Sequence, residues 1–181
     1  MPTYQLPITN YQLPITNYQL PINMFNKILV SIDDSDMAQH IVDEAVSLAK
    51  ATDGSLMFLH VISLYDNEPY FDPLFMESTI LDSELHNEAH KKSLQVWEEF
   101  KQGKKNWLSS LCESAASYGV KAELTLNVGE PSRIVCDMAR SWNASLIVIG
   151  RRGRRGFTEL FLGSVSNYVM HHAHCSVLTV Q

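Results

Sequence analysis

The chain reads as an α/β protein built on a parallel sheet with helices on both faces. Three observations predict this. Nearly continuous apolar runs rich in β-branched residues occur at 25–32, 55–62 and 145–149, as expected of strands buried on both faces. Between them lie stretches whose apolar residues recur at helical spacing, so strand and helix alternate along the chain. That alternation requires parallel pairing through right-handed crossovers, with helices covering both faces of the sheet.

The 181 residues suit one domain with a sizeable core. Hydrophobic content of 45% and charged content of 19% are ordinary for a globular chain. No apolar run reaches the roughly 18 residues of a membrane-spanning helix, so no membrane partner is expected. A net charge of −6 speaks against general nucleic-acid binding, although Arg151, Arg152, Arg154 and Arg155 form one dense basic spot. Cys112, Cys136 and Cys175 are odd in number and lack CxxC spacing, which fits a reducing compartment; a cytoplasmic location is expected.

Residues 4–23 repeat YQLPITN with a period of seven, and Pro7, Pro14 and Pro21 forbid a regular helix. The arm has no basic start or long apolar centre of the signal-peptide kind. It reads as a translated upstream repeat outside the fold, with the native start at Met24 and the domain at 24–181. The alternative is an arm that pairs with a partner's sheet edge.

The run 25–32 is the first strand. Asp33-Asp34-Ser35-Asp36 breaks it, and Asp36 with Gln39 reads as a helix cap ahead of Ile41, Val42, Ala45, Leu48 and Ala49. Asp53-Gly54 closes that helix, and 55–62 is the second strand. Residues 63–81, with Pro69 and Pro73, read as a long covering loop. From Ser83 to Tyr118 the positions Leu85, Ala89, Val96, Trp97, Phe100, Trp107, Leu108, Leu111, Ala115 and Tyr118 follow a helical stripe, with Gly103 as a point of kinking or division. After Gly119, apolar Val120, Ala122, Leu124, Leu126 and Val128 alternate with polar residues, the mark of an edge strand with one wet face. Gly129-Glu130-Pro131-Ser132 opens a third helix, with Pro131 in its first turn. The strand 145–149 follows, then a glycine-rich segment, a short helix to about His172 and a last strand at 176–180.

The glycine-rich segment reads GRRGRRGFTELFLGSV from Gly150 to Val165. Gly150 and Gly153 allow close backbone approach at a strand end, and Gly163-Ser164 puts unpaired N–H groups at a helix start. An anion is stabilised there without a dedicated side chain. Ligands in open parallel sheets sit beyond the carboxyl ends of the strands at the switch point, which brings Asp33 beside Gly150. No Gly-Lys-Ser/Thr occurs, so the segment is not a P-loop.

Gly150, two residues, Gly153, nine residues, then Gly163-Ser164 resembles the nucleotide-binding signature of the universal stress protein family, in its ATP-binding branch. The resemblance runs from Met24 to Gln181. It implies a three-layer, Rossmann-like sandwich of the adenine nucleotide alpha hydrolase type, with a five-stranded parallel sheet in the order 3-2-1-4-5. It further implies an adenine nucleotide as ligand, ATP or AMP, with Mg²⁺ arriving on ATP. Asp33 resembles the residue contacting the adenosine part, Val61 the adenine-contacting valine with Ile32 as a neighbouring wall, and Gly129 the residue beside the ribose. Gly150, Gly153, Gly163, Ser164 and Val165 resemble the phosphate contacts; Arg151, Arg152, Arg154 and Arg155 depart from the shorter polar residues common there, and about one or two of them, Arg151 and Arg152 first, are expected to fork onto phosphate oxygens.

Blander readings stand beside these. Asp33 also fits a helix-entry aspartate, Ile32 and Val61 fit the core, Glu130 fits a first-turn acid, and the arginines fit a solvated surface. His171, His172, His174 and Cys175 straddle a helix end and a strand start without a metal-site spacing, and no metal is expected there. His40 and His60 read as structural. The family usually dimerises through its last strand, so the expected protein is a stress or energy-state regulator acting as a homodimer, with a higher oligomer and an unknown downstream protein as further partners. Rivals are a slow ATPase or adenylyl transferase, for which no general base is evident, and a dimeric interaction module that binds no ligand.

Overall fold

The computed structural model describes residues 24–63, 84–151 and 163–181. The repeat arm 1–23, most of the covering loop, and Arg152, Gly153, Arg154, Arg155 and Gly156 lie outside the described residues, as do the side chains of Leu85 and Ala89. The elements are β1 Lys27–Ser31, α1 Ala38–Thr52, β2 Ser55–Ile62, α2 Glu84–Ser117, β3 Ala122–Val128, α3 Pro131–Trp142, β4 Leu146–Gly150, α4 Ser164–His172 and β5 Ser176–Val180. All pairings are parallel, and the sheet has five strands in the order β3-β2-β1-β4-β5. The expected fold class and strand order are therefore correct, with β1 central and β3 at an edge.

The apolar runs are central because both of their faces are covered. Ile28, Val30, Leu56, Phe58, Leu146 and Val148 pack under α1 and α2, through Ile41, Ala45, Leu108 and Ala115. Their neighbours Leu29, Met57, Leu59, Ile147 and Ile149 pack under α3 and α4, through Val135, Ala139 and Val169. Successive strand residues point to opposite faces, so a doubly buried strand needs an unbroken apolar run.

Helix boundaries follow local chemistry. α1, α2 and α3 each end in a left-handed residue, Asp53, Gly119 and Asn143. In each, the next N–H reaches back to the carbonyl five residues earlier: Gly54 to Ala49, Val120 to Ala115 and Ala144 to Ala139, at 2.9, 3.1 and 2.8 Å. These are Schellman closures, which satisfy otherwise unpaired carbonyls and seat an apolar residue past the helix end.

Two expectations are corrected. Asp36 does not cap α1: Met37 holds the cap position without a side-chain bond, and the Ala38 N–H donates to the Ser35 carbonyl at 3.0 Å. The carboxylate that organises this turn belongs to Asp33, whose Oδ1 accepts the Ser35 N–H at 3.2 Å. Nor does Gly103 divide the long helical stretch, because α2 runs through it for 34 residues. At 1.5 Å per residue that is about 51 Å, whereas the eight-residue β2 spans roughly 26 Å. Leu108, Leu111 and Ala115 of the second half are buried, while Leu94 in the first half is 45% exposed. The first half of α2 thus extends beyond the carboxyl edge of the sheet.

Candidate functional site at the carboxyl edge of the sheet

Strand register determines which residues meet at this edge. Ser31 lies opposite Leu59 on one side and Ile149 on the other. Counting on along each strand sets Asp33 level with Val61 and Arg151. Val61 pairs with Asn127 on β3, and Gly150 pairs with Val180 on β5. With strands about 4.8 Å apart, the edge from β3 to β4 spans three spacings, about 14 Å.

At the ends of β1 and β2, Asp33 is half-buried, and one of its carboxylate oxygens is engaged by the Ser35 turn. Its turn role and a ligand role are compatible, since a carboxylate has two oxygens with several lone pairs. Val61 is also half-buried and packs on the core under α3 and α4, together with Ile134 and Val165. Ile32 differs. Its side chain, 4% exposed, sits in the opposite core under α1 and α2. Its N–H donates to the Leu59 carbonyl at 3.0 Å, and its carbonyl is 2.9 Å from His60 Nδ1. A carbonyl only accepts, so His60 carries its hydrogen on Nδ1. Buried His60 also meets Trp107 edge-on with centroids 5.5 Å apart, and the structural reading of this histidine holds. Ile32 supports the strand end from the core and does not line the same side as Val61.

Gly129 follows β3 and donates its N–H to the Ile62 carbonyl at 2.9 Å, closing the β2 and β3 ends together. Its φ of +142° suits glycine, and a Cβ there would come within 3.0 Å of Ile134 Cδ1. Glu130 is the N-cap of α3. Its carboxylate accepts the Ser132 and Arg133 N–H groups at 3.2 and 2.9 Å and the Ser132 hydroxyl at 2.8 Å. Burial alone would raise its pKa. The hydrogen bonds from Ser132 and Arg133, with the Arg133 charge, outweigh that and hold it below the usual glutamate range. The helix-opening reading of Glu130 is thus the one the geometry supports, and Pro131 sits in the first turn as expected.

On the other side of β1, Gly150 ends β4 and Arg151 turns the chain. The Arg151 N–H donates to the Val180 carbonyl at 2.7 Å, and its carbonyl accepts the Gly163 N–H at 2.8 Å. The two ends of the glycine-rich segment are therefore joined directly. Ser166, 2% exposed, lies within 3.3 Å of the Arg151 carbonyl and 3.0 Å of the Gly163 carbonyl through its hydroxyl. Gly163 is the N-cap of α4 and supplies no side-chain cap, while Ser164 is exposed at the first helical position. The first N–H groups of a helix have no partner within it, which is the chemistry that suits an anion. The Arg151 guanidinium donates to the Gln181 side chain at 3.0 Å, toward the chain end.

Other reactive groups do not assemble. Among the described residues no three His, Cys, Asp or Glu side chains gather as a metal site. His172 instead stacks on Tyr168, centroids 3.8 Å apart, with Nδ1 2.8 Å from the Tyr168 carbonyl. Cys112, Cys136 and Cys175 are free thiols whose pKa values are raised, chiefly by burial, so none is a ready thiolate nucleophile.

The family model described as "Universal stress protein family" matches residues 24–181. The chain belongs to the universal stress protein family. It is 38% identical over 158 residues to universal stress protein Sll1388 of Synechocystis sp., covering 87% of this chain and 98% of that protein. It is 37% identical over 160 residues to universal stress protein YxiE of Bacillus subtilis, covering 87% of this chain and all of YxiE. Among solved structures the fold resembles hypothetical protein MJ0577, with a TM-score of 0.67 and 20% identity over 87% of this chain and 96% of that one. It also resembles a universal stress protein in complex with cAMP, TM-score 0.53 and 20% identity over 87% and 97% of the two chains. A third is the universal stress protein of Archaeoglobus fulgidus in complex with dAMP, TM-score 0.52 and 20% identity over 87% and 99%.

Within this family fold, Asp33, Val61, Gly129, Gly150, Gly163, Ser164 and Val165 all come to one edge, whereas Arg152 and Gly153 lie outside the described residues. Sequence reasoning missed Ser166, which joins both ends of the segment. Its only signal was a serine inside the first turn of a helix, where a hydroxyl commonly seeks nearby carbonyls.

Proposed function

We propose that this universal stress protein binds an adenine nucleotide, ATP or AMP, along the carboxyl edge of β2, β1 and β4. The observation carrying this is the α4 terminus, where Gly163 at the N-cap makes no side-chain cap bond and is tied by the Gly163–Arg151 hydrogen bond to the end of β4, one strand from Asp33. Asp33 takes a ribose hydroxyl or adenine amine, Val61 packs on the base, and Gly129 flanks the ribose. Gly150, Gly153, Gly163, Ser164 and Val165 receive the phosphates through backbone N–H groups and the Ser164 hydroxyl. Arg151 and Arg152 add charge to the phosphate contacts, and Mg²⁺ arrives with ATP. The cAMP and dAMP complexes of two proteins with this fold support the nucleotide class.

Occupancy biases a cytoplasmic homodimer, paired through β5, toward a form that engages a downstream protein. The functional unit is 24–181, with the repeat arm outside it. No helix among the described residues is long and apolar enough to cross a membrane. Hydrolysis is at most slow, because the described site offers no evident general base for a water. Calorimetric titration with ATP, ADP and AMP, with and without Mg²⁺, tests the reading. Binding of at least one is expected, and the tightest names the signal. Binding of none would favour the ligand-free interaction module.

A further inference from the structure

A second link reaches the nucleoside end of this edge from outside it. Lys104, on α2, places its Nζ 2.7 Å from Asp34 Oδ2 across 70 residues of sequence. Asp34 is the residue next to Asp33, inside the turn that Asp33 Oδ1 closes on the Ser35 N–H. The pairs Lys101–Glu98, Arg133–Glu130 and Arg140–Asp137 differ in kind, because their members are three residues apart and each has a side chain at least 70% exposed. The Lys104 side chain is only 15% exposed. Its ammonium also lies 5.2 Å from the Phe100 ring centroid, and Phe100 stacks on Trp97. A cation held against a ring and mostly shielded from water loses less to screening and side-chain entropy than an open surface pair. Among the described residues the Ser35 hydroxyl oxygen, in the same turn, is buried without a hydrogen-bond partner, a cost that the turn carries.

We propose that Lys104 is a positioning residue of the nucleotide site: by holding Asp34 it fixes the turn that aims Asp33, and so couples α2 to the nucleoside end. This rests on the nucleotide reading above. Lys104 acts through Asp33, which every adenine nucleotide meets alike, so its removal should weaken adenosine, AMP and ATP by the same factor. A lysine that instead reached the phosphates would weaken ATP more than AMP and leave adenosine untouched.

The test is calorimetry of adenosine, AMP and ATP on wild type, Lys104→Met, Lys104→Arg, Asp34→Asn and the Lys104→Met/Asp34→Asn pair. Amide hydrogen exchange of Asp34, Ser35 and Asp36 without ligand is followed in parallel. For Lys104→Met we expect a loss of about three- to tenfold, equal for all three ligands. Lys104→Arg should restore binding, the double variant should lose no more than the worse single one, and exchange at Ser35 should accelerate. An unchanged affinity, a loss that grows with phosphate number, additive single losses or unaltered Ser35 exchange would each overturn the proposal. If wild type binds none of the three, the nucleotide reading itself fails. The exchange result then still decides whether Lys104 orders the turn.

Discussion

On the proposed reading, Asp33 serves the turn and the ligand with one side chain. Its Oδ1 closes the turn on Ser35, so a loss of binding in an alanine variant would mix turn collapse with loss of a ligand contact. Asp33→Asn separates them, because the amide oxygen still accepts the Ser35 N–H while the charge and second acceptor are gone. We expect Asp33→Asn to weaken adenine-nucleotide binding about tenfold or more, on the scale of a charge-assisted bond, with the melting temperature within a few degrees of wild type. Calorimetry and thermal denaturation on the same sample check both halves. Glu130 makes the complementary case, a carboxylate that belongs to the fold. Glu130→Ala should cost about 1 kcal/mol at neutral pH, as loss of an N-cap does. The folded-state pKa is lowered, so this stabilisation is present above the ordinary glutamate value of about 4.3 and is lost as pH falls through the folded value. Denaturant melts of wild type and variant should therefore diverge at pH 7 and converge at low pH.

Among the elements, those with a strong local signal were legible and those decided by tertiary contacts were not. β2 was read with its true ends because Gly54 precedes it and its apolar run is unbroken, as required between two covered faces. β3 was legible as an edge by its alternation. The start of α1 was misread, since Asp33, Asp34, Ser35 and Asp36 all suit a cap, and only the folded turn shows that Met37 holds the cap position while Asp33 closes the turn before it. Gly103 was read as a break because propensity weighs against glycine in a helix, but the packing of Trp107, Leu108 and Leu111 carries α2 through it. Gly103 is exposed, and a Cβ there would meet nothing within 4 Å. Gly103→Ala should thus stabilise the protein by about 0.5–1 kcal/mol, seen as a rise in denaturation midpoint at unchanged slope. A loss of stability would mean that the glycine serves a bend the structure does not contain. Lys104 was illegible because it meets Asp34 across 70 residues of sequence, which no local pattern announces, whereas Ser166 left only the weak signal of a serine in a first helical turn.

For the molecule as a whole, alternation of strand and helix determined the sheet, and the sheet brought the scattered candidates to one edge. The residues at that edge come from β1, β2, β3, β4 and the start of α4, so their meeting depends on strand order as much as on the glycine signature. Ile32 is the instructive exception, one residue from Asp33 yet turned by the strand period into the opposite core. The far edge bears on assembly. β5 exposes Leu178 by 39%, and Met170 of the neighbouring α4 by 50%. An unpaired strand edge bearing apolar side chains is a ready template for pairing with a second copy. Light scattering should give a dimer for wild type and a folded monomer for Leu178→Asp. A monomeric wild type, or a variant that stays dimeric, would count against assembly through β5.

The central claim is the place of the nucleotide, and amide hydrogen exchange with and without saturating ATP or AMP measures it most directly. Bound nucleotide should slow exchange at Asp33, Gly129, Gly150, Ser164 and Val165, while the Schellman closures at Gly119 and Asn143, on the opposite edge, stay unchanged. Binding that leaves these amides untouched, or protects a different surface, would contradict the account.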